Sequence, residues 1–256
     1  MTVLDVVVLV AAGLAAGIAN AVAGGGSLLS FPALLAAGYP AVTANVTNTI
    51  ALWPGYLSGV VAYRRELAEQ RHRVKDLAII GAMGGAVGTV LLLQISPGVF
   101  KAIVPYLVLL AVVLLALQPR IATLVQRRRA DSELARAPEH RTAALRAAVL
   151  LAAVYGAYFG GALGVILVAV LGIFITDTAQ HINGLKNALS FTINTVALVG
   201  FALFGPVAWE AVAIVGPASL VGGAVGGRLA RRLSATALRR AVIIYGSLAA
   251  IRLFLG

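Results

Sequence analysis

Asn45, Thr47 and Asn48 lie close together near the start of one apolar stretch, and Asn183, Lys186 and Asn187 lie at the matching place in the other half of the chain. Amides, hydroxyls and an ammonium are hydrogen-bond donors, and a tetrahedral oxyanion needs several of them converging. On a helix, positions i and i+3 share a face, which puts Asn45 beside Asn48 and Asn183 beside Lys186. A plainer reading stays open: Asn caps helix starts well, and Lys186 could snorkel to lipid headgroups. A glycine cluster interrupts each half as well. Gly24, Gly25 and Gly26 precede Ser27, and Gly160 and Gly161 are adjacent in the second half. Ser27 could cap a helix, bind a ligand, or do both. Asn20 is polar within an apolar run and could face a cavity or hydrogen-bond a neighbouring helix. Thr192 and Asn194 lie deeper in the second stretch, and Asn194 is the better site candidate of the two. His181 could carry a proton, but its place beside a charged loop suits a surface histidine.

The elements that position these residues must sit in a bilayer. Of the 256 residues, 61% are hydrophobic and 11% charged, with a mean hydropathy of +0.97. Soluble domains average about 45–50% apolar and about 25% charged. Cysteine is absent, which excludes disulfides, thiolate metal sites and thiol nucleophiles. The three histidines have no ligand spacing, and no nucleophile–base set, P-loop or dinucleotide fingerprint is present. No cofactor or metal is therefore expected, and an intramembrane enzyme is the weakest reading. Ala21-Val22-Ala23 resembles a signal-peptidase site, but the preceding run is long, carries Asp5 and lacks Lys or Arg, so no cleaved leader is expected.

Apolar segments fall at 3–23, 27–37, 42–63, 76–93, 99–118, 147–159, 162–175, 182–204, 207–227 and 238–255. A crossing takes about 20 helical residues, so 27–37, 147–159 and 162–175 are too short. Between the segments, 17 of the 20 basic residues cluster in three loops, around Arg64–Lys75, Arg120–Arg146 and Arg228–Arg240. The positive-inside rule makes all three cytoplasmic. The net charge of +11 is then an orientation signal with some affinity for anionic lipid, and no nucleic-acid partner is expected.

Three loops on one side fix a parity. The short segments must pair as hairpins that return to the side they entered, 3–37 from outside and 147–175 from inside. The chain is therefore expected to be an all-α membrane protein of about eight transmembrane elements in two inverted-topology repeats. The first element of each repeat is a broken or re-entrant helical hairpin. Residues 1–118 form the first repeat, 119–146 a basic cytoplasmic linker and 147–256 the second repeat, with both termini outside. Inverted repeats are a common plan of secondary transporters. Irregular backbone at membrane depth is tolerated where it is buried in protein or lines a wet cavity. Helix ends there bring partial positive charge to an anion.

The stretch "GIANAVAGGGSLLSFPALLAAGYPAVTANVTNT" (17–49), with "GGALGVILVAVLGIF" and "AQHINGLKNALS" (179–190), resembles the sulfite exporter TauE/SafE family of anion permeases. Ala162, Leu163 and Val168 stand where the first half has Gly26, Ser27 and Pro32, a departure in the second turn. The resemblance implies transport of sulfite, sulfonates or related anions across the inner membrane, with hairpins bringing substrate to a central site.

The substrate-binding candidates are then Asn20, Gly24, Gly25, Gly26, Ser27, Asn45, Asn48, Gly160, Gly161, Asn183, Lys186, Asn187 and Asn194, with a small anion and the lipid bilayer as partners. An anion channel on the same half-helices is the alternative. The pairs Gly81/Gly85, Gly84/Gly88, Gly222/Gly226 and Gly223/Gly227 suit close helix contacts and could also pair two copies as a homodimer. The nine acids stand at loops or segment ends, which disfavours a cation transporter and leaves proton coupling without an obvious carrier.

Overall fold

A computed structural model describes residues 1–22, 24–131, 138–229 and 235–255, and all the regular structure among them is helical. The helices are α1 (Val3–Val22), α2 (Ser27–Ala36), α3 (Ala41–Ala62), α4 (Arg64–Glu69), α5 (Arg71–Gln94) and α6 (Pro97–Asp131). They continue as α7 (Pro138–Tyr158), α8 (Leu163–Phe174), α9 (Ala179–Phe204), α10 (Trp209–Leu229) and α11 (Ala235–Leu255). Among the described residues, five spans, in α1, α5, α6, α9 and α10, are long and apolar enough to cross a membrane, against the eight elements expected. α3 has the length, but Asn45, Thr47, Asn48 and Thr49, all buried, dilute its apolar character.

Both glycine clusters break the chain. α1 ends where Gly24 and Gly25 take φ of +77° and +87°, a region closed to most side chains. The Gly24 N–H reaches back to the Ala19 carbonyl at 2.8 Å, and the Gly26 N–H donates to Asn20 Oδ1 at 2.8 Å. α2 then returns toward the start of α1, since the Tyr39 hydroxyl after α2 contacts Met1 Sδ at 3.3 Å. α2 stops in a Schellman turn: Gly38 N–H bonds Leu35 O, Tyr39 N–H bonds Leu34 O, and Pro40 prevents continuation.

The second break uses Gly160 at φ +77° and Ala162 at φ +58°. Thus Gly160 and a non-glycine residue carry the turn that Gly24 and Gly25 carry in the first hairpin. The legs are unequal, which corrects the expectation of two half-length helices over 147–175. α7 begins at Pro138, because polar residues continue a helix beyond its apolar stretch. Likewise α6 runs through Pro119 to Asp131, well into the stretch read as linker, while 132–137 lie outside the described residues.

Helix contacts give directions. α1, α3 and α10 run together: Gly13 and Gly17 meet Val215 and Ser219, and Gly55 and Ser58 meet Ser219 and Gly223. α5, α7 and α9 also run together: Gly84 and Gly88 meet Leu150 and Val154, and Gly81 and Gly85 meet Leu189 and Ile193. The two sets are antiparallel, since Trp53 of α3 donates to Thr195 of α9 at 2.8 Å while Gly59 meets Asn187. Without water to drive association, such interfaces depend on close backbone approach. A Cβ on Gly88 would sit 2.2 Å from the Val154 carbonyl, and one on Gly222 would sit 2.2 Å from that of Leu14.

Candidate functional site

The two hairpin tips meet. A Cβ built on Gly24 would lie 3.9 Å from the Val165 backbone N and 4.0 Å from Gly164 Cα, and one on Gly160 would lie 3.9 Å from Ser27 Oγ. Between the tips is a cavity lined by Asn20, Gly24, Gly25, Tyr56, Gly160, Leu163, Gly164, Lys186, Asn187 and Ser190. Its volume is about 10 Å³, roughly room for one water. An oxyanion is larger than that space.

Lys186 is the cation of this cavity. Its stem passes Gly164, where a Cβ would come 3.6 Å from Lys186 Cδ. No carboxylate lines the cavity, and no described residue forms an ion pair with Lys186. Beside it, the Asn187 amide packs over Gly59, where a Cβ would meet its Oδ1 at 3.0 Å. Ser190 lies one turn along the same face. From α3, Tyr56 lines the cavity, and its phenol interacts with the Ser27 hydroxyl. The N–H groups of Leu28, Leu29 and Ser30 bond back to Gly25 and Gly26, so the start of α2 contributes positive partial charge more than open donors.

Of the expected site residues, Asn20, Gly24, Gly25, Gly160, Lys186 and Asn187 line the cavity, and Ser27 stands beside it. The others are used elsewhere. Gly26 permits close packing, since a Cβ there would be 2.3 Å from the Ala16 carbonyl. Gly161 packs against Phe159 and Ala111. Asn45 donates to the Tyr158 carbonyl at 2.9 Å. Asn48 accepts from the Ser30 hydroxyl. Asn194 donates to the Ser190 carbonyl of its own helix at 2.8 Å. Asn183 is outside the lining, one turn nearer the basic loop, where Gly184 faces Tyr63, Leu67 and Gln70.

Tyr56, Leu163, Gly164 and Ser190 were missed. The signal for two of them is helical spacing: Ser190 is i+4 from Lys186, and Tyr56 is i+8 from Asn48. Leu163 and Gly164 carried no such mark. They enter because the second hairpin folds α8 against α9.

Two polar clusters bracket the bundle. At the start of α9, Asp177 meets Arg73 at 2.9 Å and His181 Nδ1 at 2.6 Å, while His181 Nε2 meets Glu69 at 2.9 Å. Burial pushes the Asp177 carboxyl up, but His181, the Thr178 N–H and Arg73 together hold it below the ordinary carboxylate value. His181 thus belongs to this cluster and is outside the cavity lining. Near the start of α10, the Tyr39 hydroxyl donates to Glu210 at 3.0 Å. Burial first, then Glu210, raises the Tyr39 phenol above its usual value.

A family model described as "Sulfite exporter TauE/SafE" matches residues 9–253. A "Probable membrane transporter protein" of Haemophilus influenzae is 26% identical over 93% of this chain and 89% of its own length. A "Probable membrane transporter protein ORF9" of a Sinorhizobium species is 27% identical over 93% of this chain and 88% of its own. The "Probable membrane transporter protein YfcA" of Escherichia coli is 28% identical over 85% of this chain and 76% of its own. No solved structure matches. With that match over nearly its whole length and several membrane-crossing helices, the chain belongs to the sulfite exporter TauE/SafE family of multi-pass membrane transporters.

Proposed function

We propose that the protein is a secondary carrier of small anions, sulfite or an organosulfonate, which are held between the hairpin tips. The observation that carries this is Lys186: a cation within the bundle, in a cavity without a carboxylate, beside amide and hydroxyl donors. An ionisable residue inside a membrane protein costs several kcal/mol unless paired, so its natural partner is a ligand of opposite charge. Sulfur oxyanions suit the donor set, and the family name points the same way.

The two halves read as inverted repeats. Pairing α1, α2, α3, α5 and α6 with α7 to α11 in order turns the α1–α10 contact into the α7–α5 contact. The same exchange turns α3–α10 into α9–α5 and α2–α11 into α8–α6. The opposed directions of α1 and α7 fit this plan. On it, eight elements, two of them hairpins, occupy an inner membrane with the basic loops cytoplasmic and both termini outside. The 119–146 stretch joins the repeats. Alternating access follows if the tips open in turn, and the small cavity favours a carrier over a continuous pore. A homodimer would use outward faces, since Gly84, Gly88, Gly222 and Gly226 already pack within the chain.

The test is thermal stabilisation of purified protein by sulfite, sulfate, thiosulfate, sulfoacetate, taurine and simple carboxylates. Stabilisation grows with ligand excess over Kd, so the substrate class stands out. The proposal expects a sulfur oxyanion to lead and counterflow of that anion in liposomes. No stabilisation by any anion would sink it, and channel-sized currents would favour the pore.

A further inference from the structure

We propose that Lys186 carries the coupled proton, so that each anion crosses the membrane with one proton. This deepens the anion-carrier reading and rests on it.

A carrier must return empty. When the anion has left, a charged Lys186 would face a cavity of about 10 Å³ with no counter-ion and with the starts of α2 and α8 nearby. Those helix starts carry partial charge of the same sign. Room for roughly one water cannot solvate an ammonium as bulk water does. The neutral amine removes this cost. Loading then takes up a proton on one side: the amine becomes an ammonium and the anion pairs with it. On the other side the anion leaves and the proton follows it to water. The only covalent change is one N–H bond of Lys186, made with a proton from water on loading and broken on release; the proton neutralises a monovalent anion and leaves one net negative charge on a divalent one.

No other group near the cavity suits the task. Tyr56 is the other titratable side chain in the lining, and a phenol is ordinarily neutral near pH 7. Tyr63 ends α3, α7 brings Tyr155 and Tyr158 near its tip, and α8 brings no titratable residue. α4 and the start of α5 bring Arg64, Arg65, Glu66, Glu69, Arg71, His72, Arg73, Lys75 and Asp76, none of them in the lining. Of these, Glu69 and Arg73 are tied into the His181–Asp177 cluster, and Asp76 pairs with Arg146 at 2.7 Å. Asp5 stands at the far end of α1. Thr47, the counterpart of Lys186 in the first half, is uncharged, which gives one carrier per chain.

The experiment uses the full-length protein in liposomes with labelled sulfoacetate and, in parallel, sulfite. Sulfoacetate is included because neither its sulfonate nor its carboxylate titrates between pH 7 and 10; as a dianion crossing with one proton it carries one net negative charge, which potassium with valinomycin compensates. Two modes are measured: exchange against the same anion inside, and net uptake driven by an inside-alkaline pH gradient. In wild type, the gradient should accelerate net uptake at least tenfold. Arginine keeps the charge but does not deprotonate. Lys186→Arg should therefore lower net uptake at least tenfold more than it lowers exchange. Equal losses in both modes, or wild-type net uptake indifferent to the gradient, would overturn the proton role while leaving the carrier intact. If the arginine abolishes exchange altogether, wild-type binding decides. Sulfoacetate affinity should fall about tenfold per pH unit at the alkaline end, and an affinity flat from pH 7 to 10 overturns the inference. Absence of exchange and binding for both anions removes the carrier reading itself.

Discussion

α3 and α9 carry nearly the same polar word, and the bundle uses the two copies differently. On α3, Thr47 accepts from the Ala208 N–H at 3.0 Å, Asn48 accepts from Ser30, and Asn45 donates to the Tyr158 carbonyl. Through these bonds all three hold neighbouring segments. On α9, the counterparts of Thr47 and Asn48 are Lys186 and Asn187, and both open onto the cavity between the tips. The difference lies in the partners. The first hairpin offers Ser30, whose hydroxyl closes on Asn48. The α9 residues meet Gly24, Gly59 and Gly164, which have no side chains to satisfy them. A polar side chain is left facing the cavity where its neighbours bring no side chain to bond it.

The comparison breaks most sharply at the cation. Lys186→Ala should weaken anion binding about a hundredfold, in line with losing one partner of a buried charge pair. Thr47→Ala should leave affinity much less changed and act on stability. Titration calorimetry on both variants checks the contrast, and equal losses of affinity would refute it. Next comes the amide. Asn187→Ala should cost about tenfold in affinity, as a hydrogen bond to a charged group does. Gly59→Ala should mimic it without touching the amide itself, by pushing Asn187 aside.

On the α3 side, Asn48→Ala should lower stability by about 0.6 kcal/mol and by no more than about 1.7, the mean and the maximum measured for interhelical hydrogen bonds in a membrane, with a smaller change in affinity. Unfolding in mixed micelles reads the first quantity and anion titration the second.

The flanking cluster adds less. Asp177→Asn should cost about 0.2–1 kcal/mol near pH 7, the usual worth of an exposed pair. Because the folded carboxyl is held below its ordinary value, that contribution is present above about pH 4 and fades as pH falls through the lowered value. A stability profile against pH for wild type and variant tests the sign.

Smallest is the turn. Ala162 sits at φ +58°, where glycine is unstrained, so Ala162→Gly should stabilise by under about 1 kcal/mol. A lower melting temperature would count against strain there.

Much of the architecture was readable because bilayers impose strict arithmetic. Segments 27–37 and 162–175 were too short to cross, and glycine clusters preceded or adjoined them. Breaks at Gly24–Gly26 and Gly160–Ala162 followed. Helix length was misjudged at 147–159, because hydropathy marks the stretch that suits lipid while the hydrogen-bond ladder continues through charged residues to Pro138. The candidate site was half legible. Lys186 and Asn187 stood out as polar residues in an apolar run, yet by the same mark so did Asn45 and Asn194, whose amide N–H groups bond carbonyls outside the cavity lining.

The sequence by itself determined a helical chain in a membrane, broken at two glycine clusters and carrying a positive residue where lipid tolerates none unpaired. Those follow from composition, length and the local cost of backbone polar groups out of water. Only the tertiary structure decided which amides bond other segments and which line the cavity, and that Tyr56 and Gly164 face the same space as Lys186. Hydrogen-bond satisfaction depends on what another part of the chain brings within about 3 Å, and spacing along one helix does not contain that information.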